Sequence, residues 1–330
     1  MITDAHVHCS PEISPAALSD FLAETGTDRA VIQAVSHSVC ISLIPTALEM
    51  KRLAPDRFWV FGAPDRRAYF SAGDNLGRAQ RDYVRDMVSL GMDGVKLLEG
   101  KPQMRKALPV PDFDAPCWEP FWEYLEENRL PVMWHVNDPE TNWGKNASPW
   151  LISQGWAYDD SFINNEEQYR QVLEVLKRHP NLRVVFAHFF FMSAQLDRLS
   201  DILDSFPDIM IDLTPGIEMY ENFSAAPEQA AQFFDRYQDR ICYGTDIGGR
   251  CILTNEGQPF NREECLRRPE IVRSFLSGRD EQLICSDGNF LIDRKSFVMK
   301  PLGLPDSVLE KILNGNIVRQ IGHTPSAIPE

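Results

Sequence analysis

Eight short runs rich in β-branched and aromatic residues recur along the chain, with helix-period segments between them. They are Ile2–His6, Arg29–Val35, Phe58–Gly62, Gly94–Leu98, Pro131–His135, Val184–His188, Ile209–Leu213 and Ile241–Thr245. Such alternation predicts parallel strands, because each helix returns the chain to the starting edge of the sheet. Eight units close the sheet on itself, so the expected fold is of the α/β class, a (β/α)8 TIM barrel. At 330 residues the chain suits one barrel, which takes roughly 250 residues and can exceed 400 with insertions. No repeat, low-complexity stretch or long Gly/Ser linker divides it, and a single domain over 1–330 is expected. Four longer segments, Glu99–Ala115, Val136–Asn165, Thr214–Pro227 and Ile247–Arg268, follow strands and are expected as irregular loops on the C-terminal face, forming lid and pocket.

Helix ends are also marked. Glu166-Glu167 after Asn165 suits a helix start, Tyr169, Val172, Leu173 and Leu176 share one face, and Lys177-Arg178-His179-Pro180 closes it. Ser193 is expected to cap the next helix, with Leu196, Leu199, Ile202, Leu203 and Phe206 inward. Trp118, Phe121, Trp122 and Leu125 sit at helical spacing and read as core rather than as a substrate platform. A last helix over Pro305–Leu313 is expected to stop at Asn314-Gly315.

Composition narrows the function. A net charge of -15 argues against nucleic acid as a partner, since phosphate binding needs clustered Lys and Arg. No uncharged apolar stretch reaches the 18 or so residues of a membrane span, and the first strand occupies the place of a secretory signal, so no membrane partner and a cytoplasmic location are expected. Seven cysteines without a closely spaced pair fit reduced thiols; Cys9, beside the opening histidines, either lines the site or packs as a small hydrophobe.

The chemistry begins at Asp4-Ala5-His6-Val7-His8. Strand side chains alternate, so His6 and His8 face the same way and can share one divalent cation. Zinc in enzymes usually takes three protein ligands and keeps an open position, so further ligands must come from distant sequence. His135, His188 and Asp246 stand at the carboxyl ends of later runs, and barrel closure sets the last run beside the first.

In order along the chain, Asp4-Ala5-His6-Val7-His8, Gly94-Val95-Lys96, His135, Ala187-His188, Gly244-Thr245-Asp246 and Ile312-Leu313-Asn314-Gly315-Asn316 resemble the amidohydrolase superfamily, most closely its amidohydrolase-2 branch of aminocarboxymuconate-semialdehyde decarboxylase-like hydrolases, lactonases and decarboxylases. The resemblance implies that His6, His8, His135 and Asp246 hold one divalent metal, zinc first and manganese as the alternative. It implies that His188 lies beside the bound water or the substrate. Asp246 is then the proton shuttle and His188 polarises the carbonyl. Lys96 departs from the mononuclear pattern. It is either a carbamylated bridge to a second metal or an ammonium that neutralises a substrate carboxylate.

Plainer readings stand beside these. A lone strand-end histidine is more often structural, Asp246 alone could cap a loop, and Lys96 could be a buried-stem surface lysine. Arg250 either clamps a substrate carboxylate or makes a surface ion pair, and Lys101 and Arg105 share that choice. His37, Asp212, Trp143, Trp150 and Trp156 are pocket candidates the sequence does not rank, while His179 and His323 read as solvated. The expected function is a metal-dependent hydrolase attacking a lactone, ester or amide carbonyl of a small carboxylated substrate. The alternatives are a non-oxidative decarboxylase of the same branch, a PHP-type phosphoesterase, disfavoured because Thr245-Asp246-Ile247 lacks that group's Asp-X-His element, and a non-catalytic binding barrel. Oligomeric state stays open, with a homo-oligomer among the options.

Overall fold

Each of the eight runs forms a strand, and all pair in parallel. In the computed structural model, which describes residues 1–36, 39–145, 147–153, 155–253, 261–285 and 296–328, they are β1 Thr3–His8, β2 Arg29–Ala34, β3 Phe58–Gly62, β4 Gly94–Gly100, β5 Val132–Val136, β6 Val184–Phe186, β7 Ile209–Asp212 and β8 Ile241–Cys242. A ninth short strand, β9 Ile247–Gly248, pairs with the far side of β1. The sheet order β8-β7-β6-β5-β4-β3-β2-β1-β9 therefore begins and ends on one stretch of chain. Between β8 and β9 the Ala5 N–H donates to the Tyr243 carbonyl and the Asp246 N–H to the His6 carbonyl, both at 2.9 Å, which closes the ring. The expected TIM barrel is thus present, with its last strand split in two. The split falls where Asp246 takes a left-handed backbone (φ 55) that a strand cannot continue through.

Strand alternation makes two cores. Ala5, Val31, Trp59, Phe61, Met133, Val185, Ala187, Met210 and Cys242 fill the barrel interior, and Ile317 and Ile321 join them from the C-terminal helix. Ile32, Val60, Val95, Val132, Trp134, Val184, Ile209 and Ile211 face outward against the helices. Trp118, Phe121 and Trp122 are buried in that outer layer as expected, Trp122 stacking on Trp134 at 5.0 Å. The same alternation that turns Met133 and Met210 inward also turns His135 and Asp212 inward, two residues further along and so at the mouth.

Several local expectations change. The helix Asn165–Arg178 forms with the foreseen charges at its ends, and its cap is Asn164, whose side chain accepts from the Glu167 N–H. Ser193 does not cap Leu196–Ser205; Gln195 holds that position and the Ser193 hydroxyl accepts from Asn222 instead. The last helix does not stop at Asn314-Gly315. It runs from Asp306 through a π-helical turn, Lys311–Gly315, and ends at Gly322, whose φ of 91° suits glycine. The long segments are less irregular than foreseen: helices Pro102–Ala107, Pro149–Ser153, Ile217–Ala225 and Arg262–Ser277 lie within or extend out of them, all after strand carboxyl ends. Outside the barrel, β10 Gln282–Cys285 and β11 Ser296–Met299 pair antiparallel. No helix among the described residues is long and apolar enough to cross a membrane.

Candidate metal centre

β1 delivers both opening histidines to the barrel mouth. His8 Nε2 lies 2.9 Å and His6 Nε2 3.7 Å from the Asp246 carboxylate, and the ligand atoms of the three residues all fall within 4.8 Å of one another. His6 is buried, while His8 and Asp246 are each about a quarter exposed, so the trio opens toward solvent on one side. The chain must pass close here. Gly248 packs against the His8 carbonyl, where an added Cβ would sit 2.2 Å from the oxygen, and its φ is 97°; both demand glycine.

His135 and His188 reach the same mouth. Ring centroids run His8 to His6 at 5.2 Å, His6 to His188 at 5.6 Å and His188 to His135 at 4.8 Å. His135 does not join the three-residue ligand cluster. Its buried Nε2 has no hydrogen-bond partner and stands 3.4 Å from Asp138, which accepts from Lys101 at 2.9 Å and from the Tyr158 hydroxyl. Lys96 is fully buried on β4, with Nζ 2.8 Å from His6 Nε2. That nitrogen is the one a cation would use, so Lys96 and a metal compete for it.

Burial, reinforced by Lys96, holds the His6 imidazole well below its ordinary pKa. Burial next to His135 does the same for His188, and burial lowers His135. All three are therefore neutral near pH 7, the form that ligates metal. Burial alone would raise the Asp246 carboxyl, but the His8 hydrogen bond and neighbouring imidazoles outweigh it and keep it well below its usual range. Burial brings Lys96 down to about 8 and lifts Asp4 to about 7 despite the Thr245 contacts that favour its carboxylate.

Two further residues stand at the site, one that the sequence did not single out and one that it named without ranking. Arg268, inside the helix Arg262–Ser277, donates to the Asp246 carbonyl at 2.9 Å and lies 3.5 Å from its carboxylate. Asp212, which the sequence left unranked at the end of β7, contacts His6 Nδ1 at 2.8 Å and the His188 N–H at 2.8 Å. Cys9 packs rather than lining the site: it is buried, with its thiol pushed up to about 12. Lys101 lies over the Trp156 ring at 5.0 Å, Arg105 pairs with Asp112 at 3.0 Å, and Trp143 packs on Tyr158 at 5.1 Å. His179 is not solvated, for both ring nitrogens face carboxylates, Glu126 and Glu119, at 3.0 Å each. His37 and the side chains of Arg250 and Trp150 lie outside the described residues.

A family model described as amidohydrolase matches residues 3–321. The chain belongs to the amidohydrolase family. This amidohydrolase matches no curated protein sequence. Its fold is similar to that of an uncharacterized TIM-barrel protein from Bordetella bronchiseptica, at TM-score 0.59 and 18% identity over 98% of this chain and 99% of that one. It is also similar to a probable 2-pyrone-4,6-dicarboxylic acid hydrolase from Acinetobacter baumannii, with TM-score 0.57 and 14% identity over 97% and 99%. A 2,6-dihydroxybenzoate decarboxylase from Rhizobium gives TM-score 0.57 and 14% identity over 97% and 98%. At these identities the likeness speaks to fold alone. Members of the family are generally metal-dependent, and the donor chemistry here fits a divalent cation: two imidazole nitrogens, one carboxylate and, nearby, an orphaned buried imidazole nitrogen.

Proposed function

We propose that this amidohydrolase is a mononuclear metal-dependent hydrolase that cleaves a lactone, ester or amide bond of a small carboxylated molecule, with the whole chain acting as one barrel domain. The observation that carries this reading is the convergence of His6, His8 and Asp246 within 4.8 Å at the C-terminal mouth, beside a neutral His188. In the proposal His6, His8, His135 and Asp246 hold the cation, most naturally zinc given the imidazole donors. A cation bound there supplies Lewis acidity, which polarises a carbonyl and lowers the pKa of water to about 7.

The chain's own residues divide the remaining work. Asp246 keeps its carboxylate ionised at neutral pH, so one of its oxygens can take the proton of the attacking water and return it to the leaving group. The neutral His188 imidazole offers an N–H to the carbonyl oxygen as negative charge grows there. Lys96 Nζ touches His6 Nε2, and the charges of Asp212, Asp246 and Glu99 favour its ammonium form, which in the proposal pairs with a carboxylate of the substrate. Among the structures of similar fold, a probable 2-pyrone-4,6-dicarboxylic acid hydrolase and a 2,6-dihydroxybenzoate decarboxylase are both named for carboxylated compounds, which is in keeping with that substrate class.

The test is product analysis with a panel of carboxylated lactones and hydroxybenzoates in 18O-labelled water, using zinc-loaded protein. One 18O per turnover without carbon dioxide is expected. Carbon dioxide without label would overturn hydrolysis in favour of decarboxylation, and turnover undiminished in Asp246→Asn would remove Asp246 from the chemistry.

A further inference from the structure

We propose that Asp212 is a positioning residue that sets both halves of the site, fixing His6 in the tautomer that can ligate metal and anchoring the strained turn that carries His188. The proposal rests on the metal-dependent reading above. Asp212 is the last residue of β7, and strand alternation turns it inward with Met210 while Ile209 and Ile211 face the helices. It is fully buried, and its two oxygens have separate duties.

Oδ2 lies 2.8 Å from His6 Nδ1. On the other side of the ring the Lys96 amine, a donor, lies 2.8 Å from Nε2, so Nε2 carries the lone pair, presented to the side where His8 and Asp246 lie, and Nδ1 carries the proton that Oδ2 accepts. The Thr214 hydroxyl, 3.0 Å from the same Nδ1, can accept as well and does not disturb this assignment. A neutral imidazole bonded the other way round would be unable to ligate through Nε2.

Oδ1 accepts the N–H of His188 at 2.8 Å and that of Thr214 at 3.1 Å. His188 opens four successive left-handed residues, His188 to Phe191, with φ 56, 56, 57 and 53. None is glycine, and each costs about 1–2 kcal/mol in that conformation. Such a turn persists only where its surroundings over-determine it. Its far end is held by the Tyr169 hydroxyl donating to the Phe190 carbonyl at 2.9 Å and by Phe190 stacking on Phe186 at 3.9 Å. Its near end, which aims the His188 ring, is held by Asp212. One carboxylate thereby couples the orientation of a proposed metal ligand to that of the proposed carbonyl-polarising group.

Three measurements test this. In metal-free wild type, 15N chemical shifts of the His6 ring should report Nδ1–H; finding the proton on Nε2 overturns the tautomer argument without any variant. Asp212→Asn keeps the shape and an acceptor for the His188 N–H but turns an amide N–H toward Nδ1. It should set a donor against the Nδ1 proton, push that proton toward Nε2 against the Lys96 amine 2.8 Å away, and weaken zinc binding by 10–100-fold in a competition titration. Asp212→Ala should also speed hydrogen exchange at the His188 amide by at least tenfold relative to Asp212→Asn; equal exchange overturns the anchoring half. If wild type binds no zinc, the metal-dependent reading fails; if wild type and Asp212→Asn bind it equally, only the positioning role does.

Discussion

Glu218 carries a cost that pH can expose. It stands half-buried in the first turn of the helix Ile217–Ala225, and burial, with like charge from Asp138 and Glu221, pushes its carboxyl from 4.5 up to about 7. Between those values the native state keeps a proton that the unfolded chain has released, so this group's contribution to stability falls as pH rises through the window and the full penalty stands above 7. Glu218→Gln should therefore raise unfolding free energy by about 1–3 kcal/mol at pH 8 and leave it unchanged at pH 4, measured by urea denaturation. Parallel curves for the two proteins across that range would refute the assignment. The site's own residues differ in how openly the sequence declares them. His6 and His8 were legible as a same-facing pair on the opening strand, and His135, His188 and Asp246 because each ends an apolar run and a closed barrel brings such ends together. Asp212 was visible as a strand end, yet its partner lies 206 residues away and nothing local names it. Arg268 sits mid-helix, where an arginine announces nothing.

Elements were easier to read than their ends. Strand existence followed from short runs rich in β-branched and aromatic residues, but β6 stops at Phe186 instead of reaching His188, where left-handed residues begin without a glycine to mark the break, and β8 stops at Cys242, four residues before the left-handed Asp246. The last helix defeats the usual terminator for a different reason. Asn314-Gly315 is carried through by a π-turn, while Tyr243 N–H donates to the Ile312 carbonyl and ties that turn to the barrel. The turn after the helix Glu119–Glu127 offers a test at this scale. Arg129 there is exposed, with φ 49, and among the described residues bonds only through its backbone, the N–H donating to the Glu126 carbonyl at 3.0 Å. Arg129→Gly should remove left-handed strain of about 1–2 kcal/mol and lose part of that gain to the freer unfolded chain, for a net stabilisation of about 0.5–1 kcal/mol in urea. A destabilised Arg129→Gly would mean that the side chain contributes more than its conformation costs.

The whole molecule is closed by a short ladder. Most neighbouring strands pair over three residues or more, whereas β8 and β9 are two residues long, and the join to β1 consists of the short pairing of Val7 with Ile247 and His8 with Gly248 plus the backbone bonds at Ala5 and Asp246. Asp4 adds to it by accepting the Thr245 N–H at 3.2 Å and the Thr245 hydroxyl. The proposed ligands straddle this seam, with His6 and His8 on β1 and Asp246 on the closing segment. A cation held by all three would cross-link the first strand to the last, and at a concentration 100 times its Kd it would stabilise the fold by about 2.7 kcal/mol. Zinc should accordingly raise Tm, and a chelator should reverse the rise. Below the denaturation range, hydrogen exchange at the Ala5 and Asp246 amides should slow more than at Ala30, whose N–H bonds the Arg57 carbonyl at 3.0 Å on the far side of β2. A rise in Tm with unchanged exchange at Ala5 and Asp246 would mean the metal binds away from the seam, and the ligand set would have to be redrawn.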